Sequence, residues 1–205
     1  QITSGVFPQL YLADVMDINN TRKEAMQKNV NAGIQKLGSY QLANGGVSYW
    51  PGNSSADDWS TSYAGHFLLE AEKKGYVLPA SFKQKWINFQ QTEAKKWRYY
   101  QQYHNDFAQA YRLYTLALAG VPDMGSMNRL RETSGISNES KIRLAATYAI
   151  TGQKKTALAL LNATSVEDSN SNYFYYGSVD RNRAMLLETY LLVSDNQKAF
   201  DLATK

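Results

Sequence analysis

Helices that are apolar on most sides alternate along this chain with helices that are polar on most sides. From Asp106 to Ala119 a helix would carry Phe107, Ala110, Tyr111, Leu113, Tyr114, Leu116, Ala117 and Leu118, with Gly120 to end it. A shorter polar helix is predicted over Asp123–Thr133. Ser137-Asn138-Glu139 caps a second apolar helix, Ile142–Thr151, closed by Gly152, and Lys154–Ala163 is amphipathic. A helix apolar all round must be buried, and its polar partner must face water. The chain is therefore predicted to be all-α, with an inner and an outer layer of helices. Such an array is either an open solenoid or a closed α/α barrel, a toroid, and periodicity does not separate the two. The uneven glycine intervals count against a regular solenoid.

The same grammar runs through the first half. Thr21-x-x-Glu24 reads as a capping box for a helix ending near Gly38. Asp57 or Asp58 is predicted to cap a helix that puts Trp59, Tyr63, Phe67 and Ala71 on one face, closed by Lys73-Lys74-Gly75. Pro79 is predicted to start the next helix, towards Trp97, and Arg98–Asn105 breaks the pattern. A polar and aromatic loop is predicted over Thr164–Ser178. The last helix pair begins at Asp180, with apolar positions Ala184, Leu187, Tyr190 and Leu191, and at Asn196. The helices from Asp58, Asp106, Ile142 and Asp180 should form the buried layer.

Composition excludes several functions. The net charge of +4 comes from basic residues dispersed among acids, as at Lys73-Lys74 and Lys95-Lys96, so no basic stripe for nucleic acid is expected. No apolar stretch of membrane-spanning length exists, so no membrane insertion is expected. With no cysteine, the chain has neither a disulfide nor a Cys-ligated zinc. No metal site and no cofactor are expected. Asp57-Asp58 is a paired carboxylate, but neighbours at a helix start do not aim at a common atom, and capping accounts for them. No Gly-rich phosphate loop and no nucleophile elbow is present. Of the two histidines, His66 falls on an apolar helix as a core residue, and His104 lies in the irregular stretch before the Asp106 helix.

Gln41-Leu-Ala-Asn-Gly-Gly-Val-Ser-Tyr-Trp-Pro-Gly52 is the most distinctive loop. Asn44-Gly45-Gly46 is a tight-turn signal, and Val47, Tyr49 and Pro51 alternate with Ser48 and Trp50 as in a short extended arm. The loop resembles the Gln…Asp-Gly-Gly-Phe/Trp element of α/α toroids. That likeness implies that Gly45, Gly46, Tyr49, Trp50 and Trp59 form a structural aromatic loop, with Trp50 buried against helix ends.

Three segments carry a resemblance to one family. Gly-Gly-x-x-x-Trp-Pro-Gly followed by a Ser/Asp-rich cap, and Gln109-Ala-Tyr-Arg-Leu-Tyr-Thr-Leu-Ala117, resemble the thioester-containing domain of bacterial α2-macroglobulin-like proteins, relatives of complement. The opening stretch, Gln1-Ile-Thr-Ser-Gly-Val-Phe-Pro-Gln-Leu-Tyr-Leu12, resembles the segment after that family's Cys-x-Glu-Gln motif, with Pro8-Gln9-Leu10-Tyr11 in the place of its short aromatic helix. The resemblance implies that residues 1–205 are a single toroid-type domain of a larger multidomain protein, lacking part of its N-terminal side. Gln1 would be the acyl partner of the thioester, with the reactive Cys three residues earlier.

A histidine acts in this region of some members, somewhat further upstream of the inner helix, and His104 is its nearest counterpart. The implied function is protease trapping without turnover. Proteases and the other domains of the same chain are the implied partners, and the periplasmic or extracellular side of the envelope is the implied place. A toroid carbohydrate-active enzyme and a non-catalytic helical scaffold are the alternatives.

Overall fold

The computed structural model describes residues 1–164 and 177–204. Most of the predicted Thr164–Ser178 loop lies outside the described residues. The chain forms two compact units, Gln1–Gln90 and Gln91–Lys205. Among the described residues there are eleven α-helices and no strand, only an isolated bridge between Gln41 and Val47. The all-α prediction is borne out. No helix among the described residues is long and apolar enough to cross a membrane.

The first unit opens with α1 (Ile2–Val6), a 3-10 turn (Phe7–Leu10) and α2 (Leu12–Val15). The outer-type helix α3 (Asn20–Gly38) follows, burying only Val30, Gly33, Ile34 and Leu37. Its cap is Asn19, whose side chain accepts from Arg22 N, and not the Thr21 box expected from the sequence. An Asn three residues before a free N–H is as good an acceptor as Thr, and here it wins. Helix α4 (Asp58–Lys73) is the inner helix, with Thr61, Ser62, Ala64, Gly65, Phe67, Leu68, Leu69 and Ala71 buried. Asp57 caps it by accepting from Ser60 N at 2.7 Å, and Gly75 closes it at φ +89°.

Helix α5 (Phe82–Lys96) starts later than Pro79 suggested. Residues 79–81 form a turn, with Ser81 at φ +61°, before the helix begins. Trp86 of α5 is 1% exposed and lies over Gly65, where a β-carbon would stand 2.2 Å from the indole. The indole N–H donates to Thr61 O at 2.8 Å. A glycine in mid-helix costs stability unless something needs the room, and here the room is taken by Trp86.

The second unit holds the end of α5, a 3-10 turn (Gln101–Tyr103), α6 (Asp106–Leu118), α7 (Met124–Glu132), α8 (Asn138–Ile150), α9 (Lys154–Asn162), α10 (Val179–Val193) and α11 (Asn196–Ala203). Helices α6 and α8 are buried over almost their whole length, as their all-round apolar sequences require. Tyr111 and Tyr114 are 5% and 2% exposed. Helix α8 packs against α6, α9 and α10.

Helix α10 departs from the prediction. It buries Asn182, Met185, Leu186, Thr189 and Val193, whereas the expected core positions Ala184 and Leu191 are exposed and Leu187 and Tyr190 are half-buried. The buried face is shifted because polar Asn182 and Thr189 find partners inside. Asn182 Nδ2 donates to Glu139 Oε1 at 3.1 Å, and Thr189 Oγ1 donates to Met185 O at 2.7 Å. Satisfied polar groups are admitted to a core that a hydrophobic count would deny them.

Candidate functional site

The N-terminal arm, residues 1–16, is held to the first unit from both sides. Thr3, Val6 and Leu10 are buried. Val6 sits on α3 at Gly33, where a β-carbon would come within 3.0 Å of both Val6 γ-methyls. Phe7 reaches into the aromatic face of α4 that the sequence spacing predicted. Its ring meets His66 and Phe67 edge-on, with centroids 5.0 and 5.6 Å away, and Tyr63 at 5.8 Å. Trp59 extends that face through Tyr63 at 6.1 Å. His66 is thus a packing residue, as the sequence suggested. Gln1, ahead of α1, is exposed, and its carbonyl accepts from Gly5 N at 3.1 Å.

Polar contacts fasten the far end of the arm. The Tyr11 hydroxyl donates to Glu70 Oε2 at 2.7 Å, and Lys73 Nζ lies 2.6 Å from Glu70 Oε1. Lys74 pairs with Asp14 at 2.6 Å and lies 5.1 Å from the Tyr11 ring centroid. Burial alone would raise the Glu70 carboxyl. Hydrogen bonds from Lys73 and Tyr11, with the charges of Lys73 and His66, outweigh it and hold the group below the usual carboxylate value.

The glycine loop is built as the turn signal predicted, but not as the aromatic prediction did. Gly46 N donates to Asn44 Oδ1 at 3.0 Å, an Asx turn. Gly45 takes φ +96°, and a β-carbon there would stand 2.1 Å from Lys85 O. Gln41 Nε2 donates to Gly45 O and Phe82 O, and Val47 N to Thr61 Oγ1. The loop base is therefore buried and fixed. Trp50, however, is 60% exposed and Tyr49 48%, the two rings meeting edge-on at 5.1 Å. This corrects the expectation that Trp50 packs against helix ends. The hydrogen-bonded base ends at Ser48, and Trp50 lies beyond it. Phe82 and Trp86 of α5 supply the buried aromatics instead, with half-buried Phe89 against Gly46. The mid-helix Gly65 was the one sequence signal for Trp86.

In the second unit, His104 caps the 3-10 turn in the left-handed conformation at φ +45° and is exposed. Nearby, sequence reasoning missed a buried ladder. Phe107, Tyr111 and Tyr114 stack along α6 at centroid spacings of 6.4 and 6.3 Å. Arg181 lies 4.6 Å over Phe107, and Arg143 lies 4.2 Å over Tyr114. Glu188 accepts from the Tyr114 hydroxyl and from Arg143, the latter at 2.9 Å. Burial pushes the Tyr114 phenol up and the Arg181 guanidinium down; Glu139 partly opposes the second shift. Both guanidiniums lie against aromatic rings and Arg143 also pairs with Glu188, while the buried Arg143 Nε makes no hydrogen bond, so the ladder reads as packing rather than a reactive centre.

No family model matches the chain. An α2-macroglobulin of Escherichia coli is 34% identical over 83 residues, which is 38% of this chain and 5% of that protein. One of Xylella fastidiosa is 26% identical over 204 residues, 91% of this chain and 12% of that protein. The chain thus spans about an eighth or less of the relatives it matches. The solved structure of Salmonella α2-macroglobulin reacted with methylamine shares the fold at a TM-score of 0.77 and 23% identity, covering 98% of this chain and 15% of that one. In each of these proteins the matching stretch is a small part of a much longer polypeptide. The resemblance to the bacterial α2-macroglobulin family is borne out.

Proposed function

We propose that the chain is the thioester-type domain of a bacterial α2-macroglobulin-like protease trap, and that Gln1 supplies the acyl carbon. The observation that carries the reading is the arm. Val6 packs on Gly33 of α3 and Phe7 on the aromatic face of α4, which anchors the arm leading to Gln1 while Gln1 itself stands at the surface. A likeness to an α2-macroglobulin over 91% of the chain supports it.

The chemistry is a single acyl transfer. A thiolate three residues before Gln1 would be joined to the Gln1 side-chain carbonyl as a thioester. A protease lysine amine attacks that carbon, the N–C bond forms, the C–S bond breaks, and the amine proton passes to the departing thiolate. One covalent adduct forms and nothing turns over. A toroid-type domain would carry the thioester, which the neighbouring domains of the chain would keep dry until bait cleavage elsewhere releases it. The protein would act on the periplasmic or extracellular side of the envelope, against proteases and alongside its own neighbouring domains. Transfer to an amine needs no general base.

The test is to treat the full-length protein with a trypsin-like or elastase-like protease and resolve the products under denaturing, reducing conditions. A covalent adduct at the summed mass, with a cross-linked peptide containing Gln1, is expected. Cleavage of the bait without any adduct would overturn covalent trapping.

A further inference from the structure

We propose that Glu70 is a positioning residue: with Tyr11, Lys74 and Asp14 it forms an acid-labile latch that clips the far end of the N-terminal arm to α4. The near end of the arm is an apolar plug, with Val6 and Leu10 buried and Phe7 in its aromatic cage. The far end is different. Residues 13–16 of the arm are exposed, and Val15 and Met16 are 77% and 49% open to water. No apolar burial holds this segment. The described bonds from it to α4 are polar: Tyr11 to Glu70, Asp14 to Lys74, and the Lys74 ammonium over the Tyr11 ring. Four side chains therefore join the far end of the arm to the C-terminal end of α4.

The groups facing Glu70 give the latch its sign. Lys73 and His66 flank it on α4, Tyr11 faces it from the arm, and the Lys74–Asp14 pair lies one step along the helix. On a different contact, Lys83 of α5 pairs with Glu72 at 2.5 Å. Burial would raise the Glu70 carboxyl, but Lys73, Tyr11 and His66 outweigh it, so the folded Glu70 pKa is depressed. Docking is then fully present above the unfolded carboxyl pKa and is lost as pH falls through the lower folded value. The latch stands on the contacts of this chain alone. It does not depend on the acyl role proposed for Gln1.

Hydrogen exchange of the full protein, referenced to intrinsic rates, tests it at pH 7 and at pH 3.5. Glu70→Gln keeps an acceptor for Tyr11 but removes the charge, and Tyr11→Phe removes the donor with its ring kept. At pH 7 each is expected to speed exchange of residues 11–16 about five- to tenfold, the worth of a charge-assisted hydrogen bond discounted for partial exposure. The Gly33 region should keep wild-type protection. In the wild type, acid should bring the same acceleration, and in Glu70→Gln it should bring much less. Equal acid profiles in the two proteins, or wild-type exchange in both variants at pH 7, would overturn the latch. Loss of protection throughout α3 as well would show a general structural role and overturn it too. None of these outcomes depends on a thioester, so failure of the trap reading would show separately, as an absent protease adduct.

Discussion

Trp86→Ala is expected to lower the folding stability of the chain by about 3–5 kcal/mol, the range for truncating a buried large aromatic. Trp86 is 1% exposed, its indole fills the space Gly65 leaves on α4, and its N–H satisfies Thr61 O. Removing it opens a cavity between α4 and α5 and removes the indole hydrogen bond that joins them. Gly65→Val should act from the other side, because a β-carbon 2.2 Å from the ring forces α4 and α5 apart. Trp50→Ala is the internal control. With its ring 60% exposed, it should change stability by no more than about 0.5 kcal/mol, as surface substitutions do. Urea unfolding of the three variants checks the set. A Trp50 variant that melts well below a Trp86 variant would reverse the assignment of buried and exposed aromatics.

Asp106→Ala should be nearly as costly, about 3 kcal/mol, and for a polar reason. Asp106 opens α6 and is 1% exposed. Its Oδ2 accepts from Ser137 N, Ser137 Oγ and Ser140 Oγ, each at 2.7 Å, and so ties the start of α6 to the start of α8. Truncation leaves buried donors without an acceptor, each such loss being worth about 1–3 kcal/mol. Asp106→Asn retains one acceptor oxygen and should lose roughly half as much. A double-mutant cycle with Ser140→Ala should show coupling of about 1 kcal/mol. Additive losses would mean that the two helix starts are not joined through this carboxylate.

These two residues show what was and was not legible in the sequence. Helix existence and layer followed from periodicity, because an all-round apolar stretch such as Asp106–Ala119 has no stable place except the interior. Caps at Asp57 and Ser137 were legible from local side-chain chemistry, and each accepts from an N–H three residues on. Asp106 was hidden because its three donors come from α8, some thirty residues away. The ladder of Phe107, Tyr111, Tyr114, Arg143 and Arg181 was hidden for the same reason: no one-dimensional pattern places Arg143 over a tyrosine of another helix.

Trp50 misled because a large aromatic beside a glycine turn reads as an anchor, and only the path of the backbone after Ser48 shows that it stays outside. The face of α10 misled because the core there accepted Asn182 and Thr189 once their hydrogen bonds were available. Within the candidate site, the spacing of Trp59, Tyr63 and Phe67 gave the aromatic face in advance. The fastening of the arm by Tyr11 and Glu70 joins residues far apart in sequence and became visible only in three dimensions.

The central claim is that Gln1 is an acyl donor, and one measurement reaches it directly. The full-length protein is incubated with methylamine and digested, and the peptide containing Gln1 is mapped by mass spectrometry while free thiols are titrated. A thioester at Gln1 predicts the N-methylamide on that side chain and one newly exposed thiol per molecule, on a Cys three residues earlier, with both changes appearing at the same rate. An unmodified Gln1 with no thiol released, or a full-length sequence without that Cys, contradicts the account.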